Sequence, residues 1–341
     1  MKPATKGSPA FLEQYRSEIE EELKKSLEQR ELPFYTLLRY HLGWVDPEGR
    51  PTQAVEGKLL RSTLCLLVAQ AVGGNPREIL PAAAALELLH NFTLVHDDVQ
   101  DEDLERRHRP TVWAIWGKSQ AINAGDALHA LAALTVLRLG ERNLPADKIL
   151  RALQILEESC LQVIEGQYLD LSFEEKPDVR VEEYLQMVER KTAALFEGAC
   201  WMGAQLWTDD EELATALRGY GRELGLAFQI RDDILGIWGE EGKTGKKPGA
   251  DLSRRKKTLP VVHALERSKE LRQLYQGKML REEEVSQAME ILGHCGSREF
   301  AQELAQEHRR RALARLDSLA LRPSPKERLR ELALFSTERE F

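Results

Sequence analysis

LVHDDVQDEDLERRHRPT, residues Leu94 to Thr111, closes an apolar run that recurs with helical period from Leu80 to Val95. Asp97 and Asp101 stand one helical turn apart, so their carboxylates leave the same face, a spacing suited to bridging hard cations that take oxygen ligands. Asp98 lies beside them. Acids are disfavoured at a helix C-terminus, where the macrodipole is itself negative, and that conflict points to a use beyond solvation. Arg106 and Arg107 follow, with guanidinium groups able to grip an oxyanion through paired hydrogen bonds. Taken alone, the segment reads equally well as a solvated helix exit.

A second acid pair, Asp232-Asp233, ends another apolar helical run in FQIRDDILGIWG, with Gln229 one turn earlier. By itself the pair is as well explained by a helix end. Two acid clusters on separate helices, each at the edge of a hydrophobic segment, suggest a bundle mouth where metals are held between them. Magnesium bridging carboxylates and phosphates suits the ionisation of a diphosphate. The remaining basic candidates are Lys58 and Arg61 in VEGKLLRS, Lys191 with Thr192 in ERKTAALF, and Lys246 and Lys256 in TGKKPGADLSRRKKTLP. Each of these lysines, read singly, is a solvated surface group.

Outward from these motifs, nearly every segment is apolar at intervals of three and four: Phe11 to Leu27, Leu80 to Val95, Ala121 to Leu139, Lys148 to Leu169, Val181 to Leu206, Glu211 to Trp238 and Pro260 to Gln276. Strand signals are nearly absent, and the fold class is all-α. Breaks at Gly73-Gly74-Asn75-Pro76, Arg109-Pro110, Asn143-Leu144-Pro145 and Gly239 to Gly249 are short connections. They leave a single domain over residues 11–341 behind a loose tail, residues 1–10. Hydrophobic residues make up 42% of the chain and charged residues 30%, an ordinary globular balance. The net charge of -8 argues against nucleic acid as a partner, so an anionic ligand must be held by local cations. Cys65, Cys160, Cys200 and Cys295 are widely spaced and read as buried reduced thiols in a cytoplasmic protein. The longest apolar stretch, Ala127 to Leu137, is broken by His129, and no uninterrupted run approaches the roughly 18 residues of a membrane span.

In order and spacing these motifs resemble those of the trans-isoprenyl diphosphate synthases, the polyprenyl synthetase family, over nearly the whole chain. Asp97, Asp98 and Asp101 with Arg106 and Arg107 resemble the first aspartate-rich motif. Phe228-Gln229 before Asp232-Asp233 resembles the second, Lys191-Thr192 the lysine-threonine pair, and Gly57, Lys58 and Arg61 the region-one signature. The resemblance implies one large helical bundle of the isoprenoid synthase type around a central hydrophobic cavity. It implies a homodimer that extends an allylic diphosphate with isopentenyl diphosphate. Asp97, Asp101 and Asp232 would be the ligands of three magnesium ions, with Asp98 beside them. Arg106, Lys191, Lys246 and Lys256 would hold the allylic diphosphate, and Lys58, Arg61, His90 and Arg107 the isopentenyl diphosphate. Thr192 and Gln229 would offer oxygens to the developing carbocation.

The chain departs from the family pattern at Gly236, where the second motif usually ends in aspartate, at Glu56 and at His108, both usually glycine, and at Lys247-Pro248 in the loop. Product length in the family is set just upstream of the first motif. Phe92, with the smaller Thr93 beside it, resembles members that stop at geranylgeranyl diphosphate. At about 100 degrees per residue, Thr93 and Leu89 lie nearer the Asp97 stripe, which keeps other lengths, farnesyl included, open. Two rivals share these features. A class I terpene cyclase would need the asparagine-serine-glutamate metal motif that is missing here. A non-catalytic regulatory subunit finds support only in Gly236.

Overall fold

The structure is a computed structural model that describes residues 10–52, 57–240, 248–277 and 279–338. The proposed tail therefore lies, but for Ala10, outside the described residues, as do Glu56, Lys246 and Lys247. The chain runs α1 (Arg16–Ser26), α2 (Tyr35–His41), α3 (Leu60–Ala71), α4 (Leu80–Gln100), a hairpin of two-residue strands, α5 (Val112–Trp116), α6 (Lys118–Leu137) and α7 (Ala146–Glu175). Then come α8 (Val181–Val188), a π-helical turn Glu189–Ala193, α9 (Ala194–Gln205), α10 (Glu211–Trp238) and six further helices ending with Pro323–Glu338.

Two compact units are distinguished. One comprises residues 1–160, 198–214 and 321–325, the other 161–197, 215–320 and 326–341. In the first unit α4 is the central element. Pro81 sits in its opening turn, where a missing N–H costs nothing, and every residue from Leu80 to Leu89 is buried. Pro76–Gln100 contains an 18-residue window apolar enough by composition to cross a membrane, with mean hydropathy 1.2, but 78% of that window is inside the fold. Small residues let its neighbours approach: a Cβ on Gly125 of α6 would lie 2.2 Å from the His96 ring.

In the second unit Leu226, Ile230 and Ile234 form one stripe of α10 and pack with Tyr184, Met187, Leu259 and Val262. Ile237, one turn further, joins a second cluster with Leu252, Val261, Leu265 and Leu292. The periodic run Pro260 to Gln276 is two helices, Leu259–Leu265 and Lys269–Leu274, because Ser268 caps the second by accepting from Leu271 N at 3.1 Å. The run Val181 to Leu206 contains the π turn, an extra residue in the helical winding that periodicity does not reveal. Asp232 and Asp233 lie inside α10, which continues to Trp238.

Candidate active site

In the first unit the acidic motif occupies the last turn of α4. Asp101 is the C-cap, its backbone still helical at φ -81°, and its N–H donates to Asp97 O at 2.8 Å, so Asp97 and Asp101 share one face and are both half-buried. Asp98 points the other way. It is buried, and Arg106 Nε donates to its Oδ1 at 2.7 Å, while no donor among the described residues reaches Oδ2. Burial pushes its carboxyl up to about 6 although Arg106 pulls it down. Asp98 therefore anchors Arg106, and Asp97 and Asp101 stand on another face of the helix.

Arg106 is delivered by the hairpin Glu105–Arg106 and Arg109–Pro110, whose turn residues Arg107 and His108 have φ +52° and +60°. Such a turn asks for glycine at its centre, where this chain has His108. The Arg107 guanidinium lies over Gly57, where a Cβ would sit 2.9 Å from Nη2. Arg61 Nη1 donates to His90 Nε2 at 3.2 Å, which requires a neutral imidazole. Desolvation, and then Arg61, Arg107 and Arg106, hold the His90 pKa well below its usual value. Desolvation and Arg107 likewise bring His41 down to about 3. Arg61 and His90 are thus brought together, as are Gly57 and Arg107, and the Arg107 charge is felt at His90 and faces the buried Glu87 as well as Arg106.

In the second unit the π turn carries Lys191 and Thr192. Its backbone rests on α7 at Gly166, where a Cβ would lie 2.2 Å from Lys191 N and 2.5 Å from Lys191 Cα. Lys191 Nζ donates to Asp170 Oδ2, one turn on, at 2.5 Å. Thr192 Oγ1 donates to Gln229 Oε1 at 2.8 Å, and Gln229 Nε2 donates to Asp233 Oδ1 at 3.0 Å. Asp233 also accepts from the Tyr184 hydroxyl and, at 3.0 Å, from Leu259 N. Burial raises its carboxyl to about 7, and its hydrogen bonds hold the α10 register. Asp232 is half-buried on a different face. Gly236 is filled from outside its helix: a Cβ there would stand 1.9 Å from Asp251 Oδ2. Lys256 is exposed, on the loop after the helix Ala250–Ser253.

Gly166, Asp170, Tyr184 and Asp251 were not singled out by sequence reading. A glycine inside an apolar helical stretch is the one signal that marked Gly166. Of the seven described non-glycine residues with positive φ, five, Leu59, Glu102, Arg107, His108 and Arg255, are themselves site candidates or adjoin one, and Gln29 and Asn143 do not.

The sequence profile of the polyprenyl synthetase family matches residues 50–292. The chain belongs to this family. It is 41% identical to a protein of Mycobacterium tuberculosis named geranylgeranyl diphosphate synthase, over 94% of this chain and 92% of that one. It is 37% identical to a Mycobacterium bovis protein named (2E,6E)-farnesyl diphosphate synthase, over 89% and 86%. The crystal structure of a polyprenyl synthetase from Streptomyces coelicolor A3(2) superposes with TM-score 0.89 at 38% identity, covering 96% of this chain and 98% of that one. The protein is accordingly an enzyme of the prenyl diphosphate synthase class, a trans-prenyltransferase. The family's chemistry uses a divalent metal, and the outward carboxylates fit one: Asp97 and Asp101 offer hard oxygen donors on one face, behind a buried Asp98 Oδ2 that no described donor satisfies.

Proposed function

We propose that the enzyme joins isopentenyl diphosphate head-to-tail to an allylic diphosphate and releases chiefly geranylgeranyl diphosphate. The observation that carries this reading is the gathering of the Arg61, Arg107 and Arg106 guanidinium charges near a neutral His90 in the same unit as Asp97 and Asp101. A cyclase handles a single diphosphate, whereas condensation needs a second anion site, and this gathering supplies the cations for it.

In this reading Lys58, Arg61, His90 and Arg107 hold isopentenyl diphosphate, and Arg106, Lys191, Lys246 and Lys256 hold the allylic diphosphate. Asp97, Asp101 and Asp232 hold magnesium, three ions, which when bound would offset the charge gathering on the departing diphosphate. Asp98 and Asp170 position Arg106 and Lys191 respectively. The allylic C1–O bond breaks with its electron pair leaving on the diphosphate, the isopentenyl alkene supplies the pair for the new C–C bond, and a proton is lost to the diphosphate. Thr192 donates its proton to Gln229, which leaves both lone pairs of the Thr192 oxygen to stabilise the cation.

The short product rests on Phe92, which is buried and stacked between two histidines, edge-on to His96 at 4.8 Å and tilted on His129 at 5.3 Å. Leu89 is wholly buried, and Thr93 turns its hydroxyl back to His90 O at 2.8 Å. A homodimer and a cytoplasmic address belong to the same reading. The test is incubation with dimethylallyl, geranyl or farnesyl diphosphate, each with and without isopentenyl diphosphate, followed by mass analysis. Lengthened diphosphates only when isopentenyl diphosphate is present support the proposal. Hydrocarbon from the allylic diphosphate alone overturns it.

A further inference from the structure

His129 on α6 and Glu157 and Cys160 on α7 bring an imidazole nitrogen, a carboxylate oxygen and a thiol sulfur within 4.8 Å of one another. Glu157 and Cys160 are three apart and so share a face of α7, and His129 Nε2 meets Glu157 Oε2 at 2.9 Å. We propose that this triplet is a second metal site, for a thiophilic divalent ion of the zinc class, built from residues other than the carboxylates assigned to magnesium.

The donor set decides the class of ion. One nitrogen, one oxygen and one sulfur match zinc, with a fourth position left for water, whereas magnesium demands octahedral oxygen and has no use for a thiol. In the single chain the His129 and Glu157 side chains are 36% and 42% exposed and Cys160 is 2% exposed, so the sulfur lies at the closed end. Binding displaces the Cys160 proton to solvent and leaves His129 as its Nδ1–H tautomer. The same imidazole packs on Phe92, so an ion that fixes the ring also fixes Phe92. That consequence, unlike the site, rests on the prenyltransferase reading.

Cobalt(II) titrated into the purified protein at neutral to alkaline pH should produce a thiolate-to-cobalt charge-transfer band that added zinc bleaches. Cys160→Ala abolishes the band, His129→Ala and Glu157→Gln each weaken binding at least tenfold, and Cys65→Ala leaves it intact, with circular dichroism confirming that each variant is folded. A wild-type protein that shows no band, or a band that survives Cys160→Ala, overturns the site. Zinc added at fixed magnesium should shift the product distribution in wild type and not in Cys160→Ala. An unchanged distribution overturns the coupling to Phe92. Failure of elongation altogether refutes the functional reading but leaves the absorption result readable.

Discussion

Gly166→Ala tests how the site is built. The added Cβ would lie 2.2 Å from Lys191 N, 2.5 Å from Lys191 Cα and 2.8 Å from Arg190 C. Ordinary contact begins near 3.5 Å, so the gap must open by roughly 1 Å. All three atoms are backbone, and no side-chain rotation relieves them. Overpacking of this kind costs about 3 kcal/mol at the upper end of the usual range, and alanine returns about 1 kcal/mol of helix propensity, for a net loss of about 2 kcal/mol. Gly293→Ala is the control, since a Cβ there meets nothing within 4 Å. It should gain a few tenths to about 1 kcal/mol. Urea denaturation gives both values. Because the displaced turn carries Lys191 away from Asp170, Gly166→Ala should also lose turnover by at least about tenfold, the equivalent of 1.4 kcal/mol in the barrier. A Gly166→Ala protein as stable and as active as wild type would refute the claim that Gly166 seats the π turn.

Gly236→Asp brings a Cβ to 1.9 Å from Asp251 Oδ2, a side-chain tip that must turn aside, and sets two carboxylates together, which should cost about 1 kcal/mol, chiefly by like-charge repulsion. Adding Asp251→Ala should recover most of that loss, and a double variant no more stable than the single one contradicts the packing described. His108→Gly removes a left-handed non-glycine at φ +60° and should stabilise the hairpin by about 1 kcal/mol, read as a rise in melting temperature; no rise would mean the turn is unstrained. Phe92→Ala should lengthen the product, as mass analysis of the diphosphates would show, and the wild-type distribution from the variant removes Phe92 from that role. The depressed His90 pKa means that the unfolded chain takes up the proton first. Its contribution to stability is therefore present above about pH 6.5 and is lost as pH falls, by up to ~1.4 kcal/mol per unit. His90→Gln should flatten the dependence of unfolding free energy on pH between about 6.5 and 5, and parallel slopes would count against the neutral histidine.

The helices and their apolar faces were legible in the sequence because a helix imposes its own spacing. Glu211 to Trp238 is bounded in the structure where periodicity bounds it, and Asp97 and Asp101 share a face by virtue of the turn that separates them. Motif order pointed to the family for the same reason: residues on one turn are neighbours whatever else the chain does. Contacts between helices carry no such signature. Lys191 finds Asp170, Asp251 fills the space at Gly236, Asp98 turns inward to Arg106 while Asp97 does not, and Glu157 meets His129 across α6 and α7. Each of these depends on which turn of one helix lies against which turn of another. Close packing of whole faces decides that, and the periodicity of either helix read separately does not contain it.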